Sequence, residues 1–396
     1  MENGNSSSLS IETNPTGYFS TFDFKTNRKG LMITIGDVVK HLEALAPPAF
    51  QEDYDNSGLI TGDQSLAVTS VLVTLDCTEE VVHEAIALGA NLVIAHHPIV
   101  FRGLKKITGK NYVERTVIKA IKHDVAIYAI HTNLDNVYAG VNRKLAEQIG
   151  LINLRILKPR KETLGKLVTF IPKEKADEVL AALHEAGAGN IGNYKNCSFT
   201  VEGTGTFMPT GSAQPHIGEK DVQEKVNEVR AEVIFPVYLE SKILVALRAA
   251  HPYEEVAYYI QHIKNENQEV GSGMIGELET VEEPIKFLER LKRSMNTNCV
   301  RYTSIVKPEV KVVAVCGGSG SFLLQDAIRA NADVFVSADF KYHEFFDSDG
   351  KITIADIGHY ESEQFTKELI SEVLREKFRT FAINFSKTVT NPIRYL

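Results

Sequence analysis

Hydrophobic and polar positions along this chain follow two rhythms. Residues 35–45 carry apolar side chains at helical spacing, and Pro47-Pro48 ends the segment. Residues 71–75 form a short continuous apolar run. Thr78 then caps a helix through Ala87, with Glu79 and Glu80 in its first turn. Residues 91–95 and 125–130 are further apolar runs, the second preceded by a helix over 112–122. The texture returns near the C-terminus, where 311–315, 333–337 and 352–355 read as strands and 322–330 and 361–375 as helices. Short apolar runs separated by helices mark strands buried on both faces. The expected class is therefore α/β, a layered domain with a mostly parallel sheet.

Between these halves the pattern changes. Residues 166–172 read as a strand, 176–186 as a helix, 197–207 and 231–237 as half-exposed strands, 241–250 as a helix and 256–263 as a last strand. That order, β-α-β-β-α-β, is the ferredoxin-like arrangement. The expected organisation is a tail over 1–31, the first half of the α/β domain over 32–160, an inserted ferredoxin-like α+β domain over 161–275, and the second half over 276–396.

Composition narrows the function classes. A chain of 396 residues exceeds one ordinary core, so two domains are expected. The balance of 43 Lys+Arg against 51 Asp+Glu gives a net charge of −8, which argues against a broad nucleic-acid footprint. No apolar run approaches the roughly 18 residues of a membrane helix. Cys77, Cys197, Cys299 and Cys316 are scattered and form no CxxC pair. Neither a zinc ribbon nor a disulfide framework is expected, and reduced thiols suit a cytoplasmic protein. Residues 1–30 are rich in Asn, Ser, Thr and Gly and lack the apolar core of a signal peptide, so a disordered tail is expected there.

Ligand-capable residues gather after the apolar runs, where open α/β sheets place their functional crevice. His96-His97-Pro98 follows one run, and His131-Thr132-Asn133-Leu134-Asp135 another. Asp339, Lys341 and His343 follow a third, and Asp356, Gly358, His359 and Glu363 a fourth; Asp76 follows a fifth. Pro98 biases His97 toward extended backbone, so the two histidines diverge, as two ligands of two different metals would. His359 and Glu363 are four apart and share one helix face. Asp135 either shapes an Asx turn or bridges two cations. The combined reading is a dinuclear divalent-metal site of His96, His97, Asp135, His359 and Glu363, with Asp135 and Glu363 as the catalytic carboxylates. His131, His343 and Asp76 are expected around the ligands, orienting them or shuttling protons. His251 is expected to be structural.

Three glycine motifs stand out. Gly271-Ser272-Gly273-Met274-Ile275-Gly276 matches GxGxxG but follows a polar stretch, so a linker is expected. Gly103 to Gly109-Lys110 fails as a P-loop, with Asn111 where Ser or Thr is needed. Gly317-Gly318-Ser319-Gly320, between a strand and a helix, is either an anion-holding turn or a tight connection; in the first case Lys341 supplies counter-charge.

The stretches Asp55-Asn56-Ser57-Gly58-Leu59, Ile94-Ala95-His96-His97-Pro98, His131-Thr132-Asn133-Leu134-Asp135 and Gly358-His359-Tyr360-Glu361-Ser362-Glu363 closely resemble the Ngg-one-interacting-factor-three-like family, many members of which are named GTP cyclohydrolase I type 2 homologues. The resemblance runs from Met32 to the C-terminus. It includes the insertion, which looks like the nitrogen-regulator-like domain of longer bacterial members, most tellingly at His251-Pro252-Tyr253-Glu254-Glu255. It implies two metals held by His96, His97, Asp135, His359 and Glu363, and ring-shaped homo-hexamers. One departure stands out: members usually show a Gly-Asp pair where this chain has Ala338-Asp339. A ligand set of His and carboxylate without thiolate suits zinc, manganese, iron or nickel, with zinc expected as purified. The expected function is a metal-dependent hydrolase acting on a nucleotide or another phosphorylated small molecule. The rival reading is a non-catalytic metal-handling or regulatory scaffold.

Overall fold

The computed structural model describes residues 32–396, and the expected tail over 1–31 lies outside the described residues. The described residues form a mixed α/β structure with three sheets. The first has the strand order Gly58–Thr61, Ala126–Ala129, Leu92–His97, Ser70–Asp76, Ala382–Phe385. All its pairings are parallel except the one made by Gly58–Thr61. Successive side chains point to opposite faces of a strand, and the apolar runs fill both. Val71, Val73, Leu92 and Ile94 pack against the helices Ile35–Leu45 and Thr366–Lys377. Leu72, Val93 and Ala95 pack on the other side, with Val81, Val82 and Ala85 of Glu79–Ala87. Thr78 caps that helix, accepting from the Val81 N–H at 3.4 Å, as its place in the sequence predicts.

The second sheet has the order Arg301–Tyr302, Thr353–Asp356, Val334–Ala338, Val310–Ser319, Asn267–Glu282, Leu151–Arg160. Its three middle strands run parallel, whereas Asn267–Glu282 and Leu151–Arg160 are antiparallel additions. The expectation of one mostly parallel sheet thus meets two sheets, the second with antiparallel edges. Asn267–Glu282 also takes in the whole GxGxxG stretch expected as a linker, and the expected boundary at 275 falls inside this strand. The glycines let strands approach closely. A Cβ at Gly271 would meet the Lys158 carbonyl oxygen at 2.3 Å, and one at Gly276 the Ile152 carbonyl oxygen at 2.8 Å.

The third sheet is antiparallel throughout, in the order Phe199–Phe207, Glu224–Pro236, Leu164–Pro172, Tyr258–Ile263. The helices Ala176–Ala186 and Glu240–Ala250 cover one face and share a core with it through Val179, Leu183, Ile243 and Leu247. Among the described residues, no helix is long and apolar enough to cross a membrane.

Candidate metal centre

The parallel strands deliver their last residues to one place. Asp76 and His97 are register partners on neighbouring strands. His96, on the opposite side of the same strand, is fully buried. The helix Thr132–Asp135 begins just past Ala126–Ala129, and His359–Glu363 just past Thr353–Asp356. Three ligand groupings result: His96, His97 and His131; His97, His359 and Glu363; and His96, Asp135 and Glu363. All five residues expected as ligands therefore come together.

Each imidazole is held from behind. The Nδ1–H of His96 donates to the Ile130 carbonyl at 2.8 Å, that of His97 to Asp76 Oδ1 at 2.8 Å, that of His131 to Asp55 Oδ1 at 2.7 Å and that of His359 to Asp339 Oδ2 at 2.6 Å. Because every acceptor is an oxygen, each Nδ1 must carry the proton, which leaves Nε2 as the atom able to coordinate a cation. The inward atoms crowd one another. His97 Nε2 lies 2.9 Å and His359 Nε2 3.1 Å from Glu363 Oε2, while His96 Nε2 lies 3.6 Å from Asp135 Oδ1 and 3.9 Å from Glu363 Oε2.

Burial and the neighbouring charges shift the titration of the clustered groups. Burial pushes His96 down to about 3, so it stays neutral. Burial alone would lower His97 and His359 as well, but Asp76 and Glu363 raise the first to about 9, and Glu363 and Asp339 the second to about 11. Burial and the neighbouring Glu363 raise Asp135 well above the usual carboxylate range. Glu363 is held well below it despite burial, chiefly by His359 and His97. His96 Nε2 and Asp135 Oδ1 are buried and have no hydrogen-bond partner, a costly condition in a protein interior. A divalent ion between them would answer both, so the donor set fits such a group. Cys316 lines the adjoining cleft, but burial, then Asp135 and Glu363, push its thiol up, so the ligands on offer are nitrogen and oxygen.

Residues outside the expected five have definite places. His131, expected only around the ligands, stands in a ligand grouping with His96 and His97. Asp76 holds His97, as expected. Asp55, which the sequence offered only within a stretch resembling the family, holds His131 and accepts from the Thr132 N–H at 3.0 Å and the Thr132 hydroxyl. Asp339, at the departure from the Gly-Asp pair, adopts φ 58° and holds His359. His343 is exposed, in ring contact with Tyr342 and Phe346, and belongs to none of the groupings.

Of the two readings of the glycine run, the anion-holding turn and the tight connection, its packing matches the second. Gly317, Gly318 and Ser319 end the strand Val310–Ser319, and Gly320 follows it. The Gly317 N–H donates to Asn142 Oδ1 and the Gly318 N–H to Ser362 Oγ, both at 2.9 Å, so neither is open to an anion. Gly318 has φ +60°, and a Cβ there would stand 2.4 Å from Glu363 Oε1. Small size lets Glu363 and His359 lie against the strand. A Cβ at Gly320 would meet Ser337 Oγ at 2.3 Å. Lys341 is exposed, its N–H bonded to Glu344, and it does not line the cleft.

That cleft, of about 1710 Å³, has His97, His131, Asp135, His359 and Glu363 in its wall, alongside Tyr54, Phe101, Arg102 and Lys161.

Comparison with known proteins gives one consistent answer. A Bacillus subtilis protein named GTP cyclohydrolase 1 type 2 homolog is 39% identical over 365 residues, covering 91% of this chain and 98% of that protein. A protein of the same name from Halalkalibacterium halodurans is 37% identical with the same coverage. A solved structure described as a Bacillus cereus protein related to NIF3 matches with TM-score 0.81 at 38% identity, covering 93% of this chain and 100% of that one. Staphylococcus aureus protein SA1388 matches with TM-score 0.74 at 30% identity, covering 92% of this chain and 99% of its own. The family model described as Duf34/NIF3 (NGG1p interacting factor 3) matches residues 33–392, and the chain belongs to that family.

Proposed function

We propose that this protein is a metal-dependent hydrolase with a dinuclear centre, acting on a nucleotide or another phosphorylated small molecule. The observation that carries the reading is the arrangement of four imidazoles, each locked at Nδ1, around two carboxylates beside a cleft. His96, Asp135 and Glu363 would hold one ion and His97, His359 and Glu363 the other, with His131 beside the first two histidines. Two bound divalent ions, zinc as purified and manganese, iron or nickel as substitutes, would activate water near neutral pH and stabilise charge on an attacked centre.

The chain's own residues do the positioning. Asp76, Asp55, Asp339 and the Ile130 carbonyl fix the imidazole planes before substrate arrives. Tyr54 and Phe101, ring centroids 6.1 Å apart, offer apolar surface for a planar group in the same cleft. Since the Gly317 and Gly318 N–H groups are engaged, phosphate charge would fall to basic side chains of the cleft wall, Arg102 and Lys161 among them. The names of the Bacillus subtilis and Halalkalibacterium halodurans relatives suggest GTP as the first substrate to try. The proposal extends to organisation: residues 161–266 as an inserted ferredoxin-like domain, a cytoplasmic location and assembly into homo-hexamers.

The test is turnover. Protein stripped of metal and reloaded with zinc or manganese is screened against GTP, other nucleotides and simple phosphoesters, beside Asp135→Ala and Glu363→Ala. The hydrolase reading expects activity that returns with metal and falls by several orders of magnitude in both variants. Full metal content with no turnover on any substrate would support the scaffold reading instead.

A further inference from the structure

The strand Ala382–Phe385 runs parallel to Ser70–Asp76 at the edge of the first sheet. The chain therefore leaves that sheet at the end where Asp76 and His97 stand, and there it is fastened. Glu84, on the helix Glu79–Ala87, accepts from Ser386 Oγ at 2.7 Å, the Lys387 N–H at 2.8 Å and Thr388 Oγ1 at 2.8 Å. Further on, Thr390 Oγ1 donates to Asp76 Oδ2 at 2.6 Å. Asn391 Nδ2 donates to Glu361 Oε1 at 3.0 Å, on the short helix that carries His359 and Glu363. Thr390, Asn391, Pro392 and Ile393 also line the cleft.

We propose that residues 386–393 are a strap belonging to the metal centre, with Thr390 a positioning residue that acts through Asp76 on His97. The proposal rests on the metal-centre reading above. Asp76 is gripped at both oxygens, with His97 Nδ1–H at Oδ1 and the Thr390 hydroxyl at Oδ2. A carboxylate bonded at one oxygen can rotate about its last torsion, which is broad. With both oxygens engaged its plane is set, and with it the direction in which His97 presents Nε2 to Glu363. Such partners orient ligands and tune their affinity for metal. Glu84 brings Thr390 to this position. Without that anchor the strap would have to be ordered against its own conformational entropy each time.

Zinc binding measures this directly, by competition between the full chain and a chelating dye. Thr390→Val is expected to weaken zinc binding about tenfold, the lower end of the range for residues that orient ligands. Thr390→Ser, which keeps the hydroxyl, is expected to restore it. Glu84→Ala touches neither Asp76 nor a ligand, yet should weaken zinc binding similarly. The double variant should lose no more than the worse single one, since both act through one strap. Metal-free Thr390→Val should unfold at the same temperature as wild type. Wild type that takes up no zinc defeats the metal centre and the strap with it. Zinc-binding wild type with an unchanged Thr390→Val overturns the strap alone. Equal losses in Thr390→Val and Thr390→Ser, or losses that track metal-free stability, likewise overturn it.

Discussion

Glu363 Oε2 lies within reach of three imidazoles, and its carboxylate is shared by two of the three ligand groupings. Removing its charge should therefore cost more metal than removing any single histidine of one grouping. Glu363→Gln is expected to retain less than half of wild-type metal content by elemental analysis, while His359→Ala loses about one ion of two. Equal retention in both variants would break the shared-carboxylate picture. Gly318→Ala tests the packing behind it: the new Cβ would press on Glu363 at a backbone angle that L side chains rarely adopt. Metal content is expected to fall with wild-type folding retained by circular dichroism, and an unchanged content would show that Glu363 can yield. Much of this site was legible because strand-end histidines and carboxylates stand out after apolar runs. His131 was not assignable, since sequence alone does not say which way its Nε2 points. Asp55 was missed because it works on a residue 76 positions away in the sequence.

At the scale of elements, the segment after Glu240–Ala250 gives a pH prediction. His251 is buried at the end of that helix, its Nε2–H donating to the Phe170 carbonyl at 2.9 Å and its Nδ1 accepting from the Tyr253 N–H at 3.1 Å. Both nitrogens are used only by the neutral ring, and burial lowers its pKa from 6.5. The unfolded chain therefore takes up a proton near 6.5 that the folded chain resists. This contribution is full above that pH and is lost as pH falls below it. The stability advantage of wild type over His251→Gln should accordingly shrink between pH 7.5 and 5, as followed by thermal unfolding; a constant gap would refute the assignment. The residue was legible as structural, whereas several strands were not, Leu151–Arg160 and Asn267–Glu282 among them. Leu151–Arg160 alternates irregularly and carries Arg155, Lys158 and Arg160, so its apolar signal is weak. Gly271 to Gly276 reads as a linker because the stretch before it is polar, yet here its glycines permit close strand packing.

For the whole molecule, the stems of the third sheet decide how separable it is. Leu151–Arg160 leads out to it and Asn267–Glu282 leads back, and these strands pair with each other, Asn267 opposite Arg160. Both stems touch the part that carries the candidate metal site. Arg160 Nη2 donates to Glu52 at 2.7 Å, Asn136 Nδ2 donates to the same carboxylate at 2.7 Å, and the Gly271 N–H donates to the Asn136 carbonyl at 2.8 Å, one residue from Asp135. Val270, Met274 and Ile275 are buried in the cores of the two larger sheets. An excision must therefore keep both stems. Joining Lys161 to Asn267 through a short flexible linker closes a pair of ends that already face each other, and loop closure costs little at such lengths. That protein is expected to fold and to bind metal at wild-type stoichiometry. Joining Lys158 to Glu277 instead deletes Val270, Met274 and Ile275, each large enough for its loss to cost about 2–5 kcal/mol in a core. This shorter version is expected to be insoluble or metal-free. If it folds and binds metal as well as the longer one, the returning strand contributes nothing to the centre. If neither folds, the third sheet is part of the core on which the centre stands.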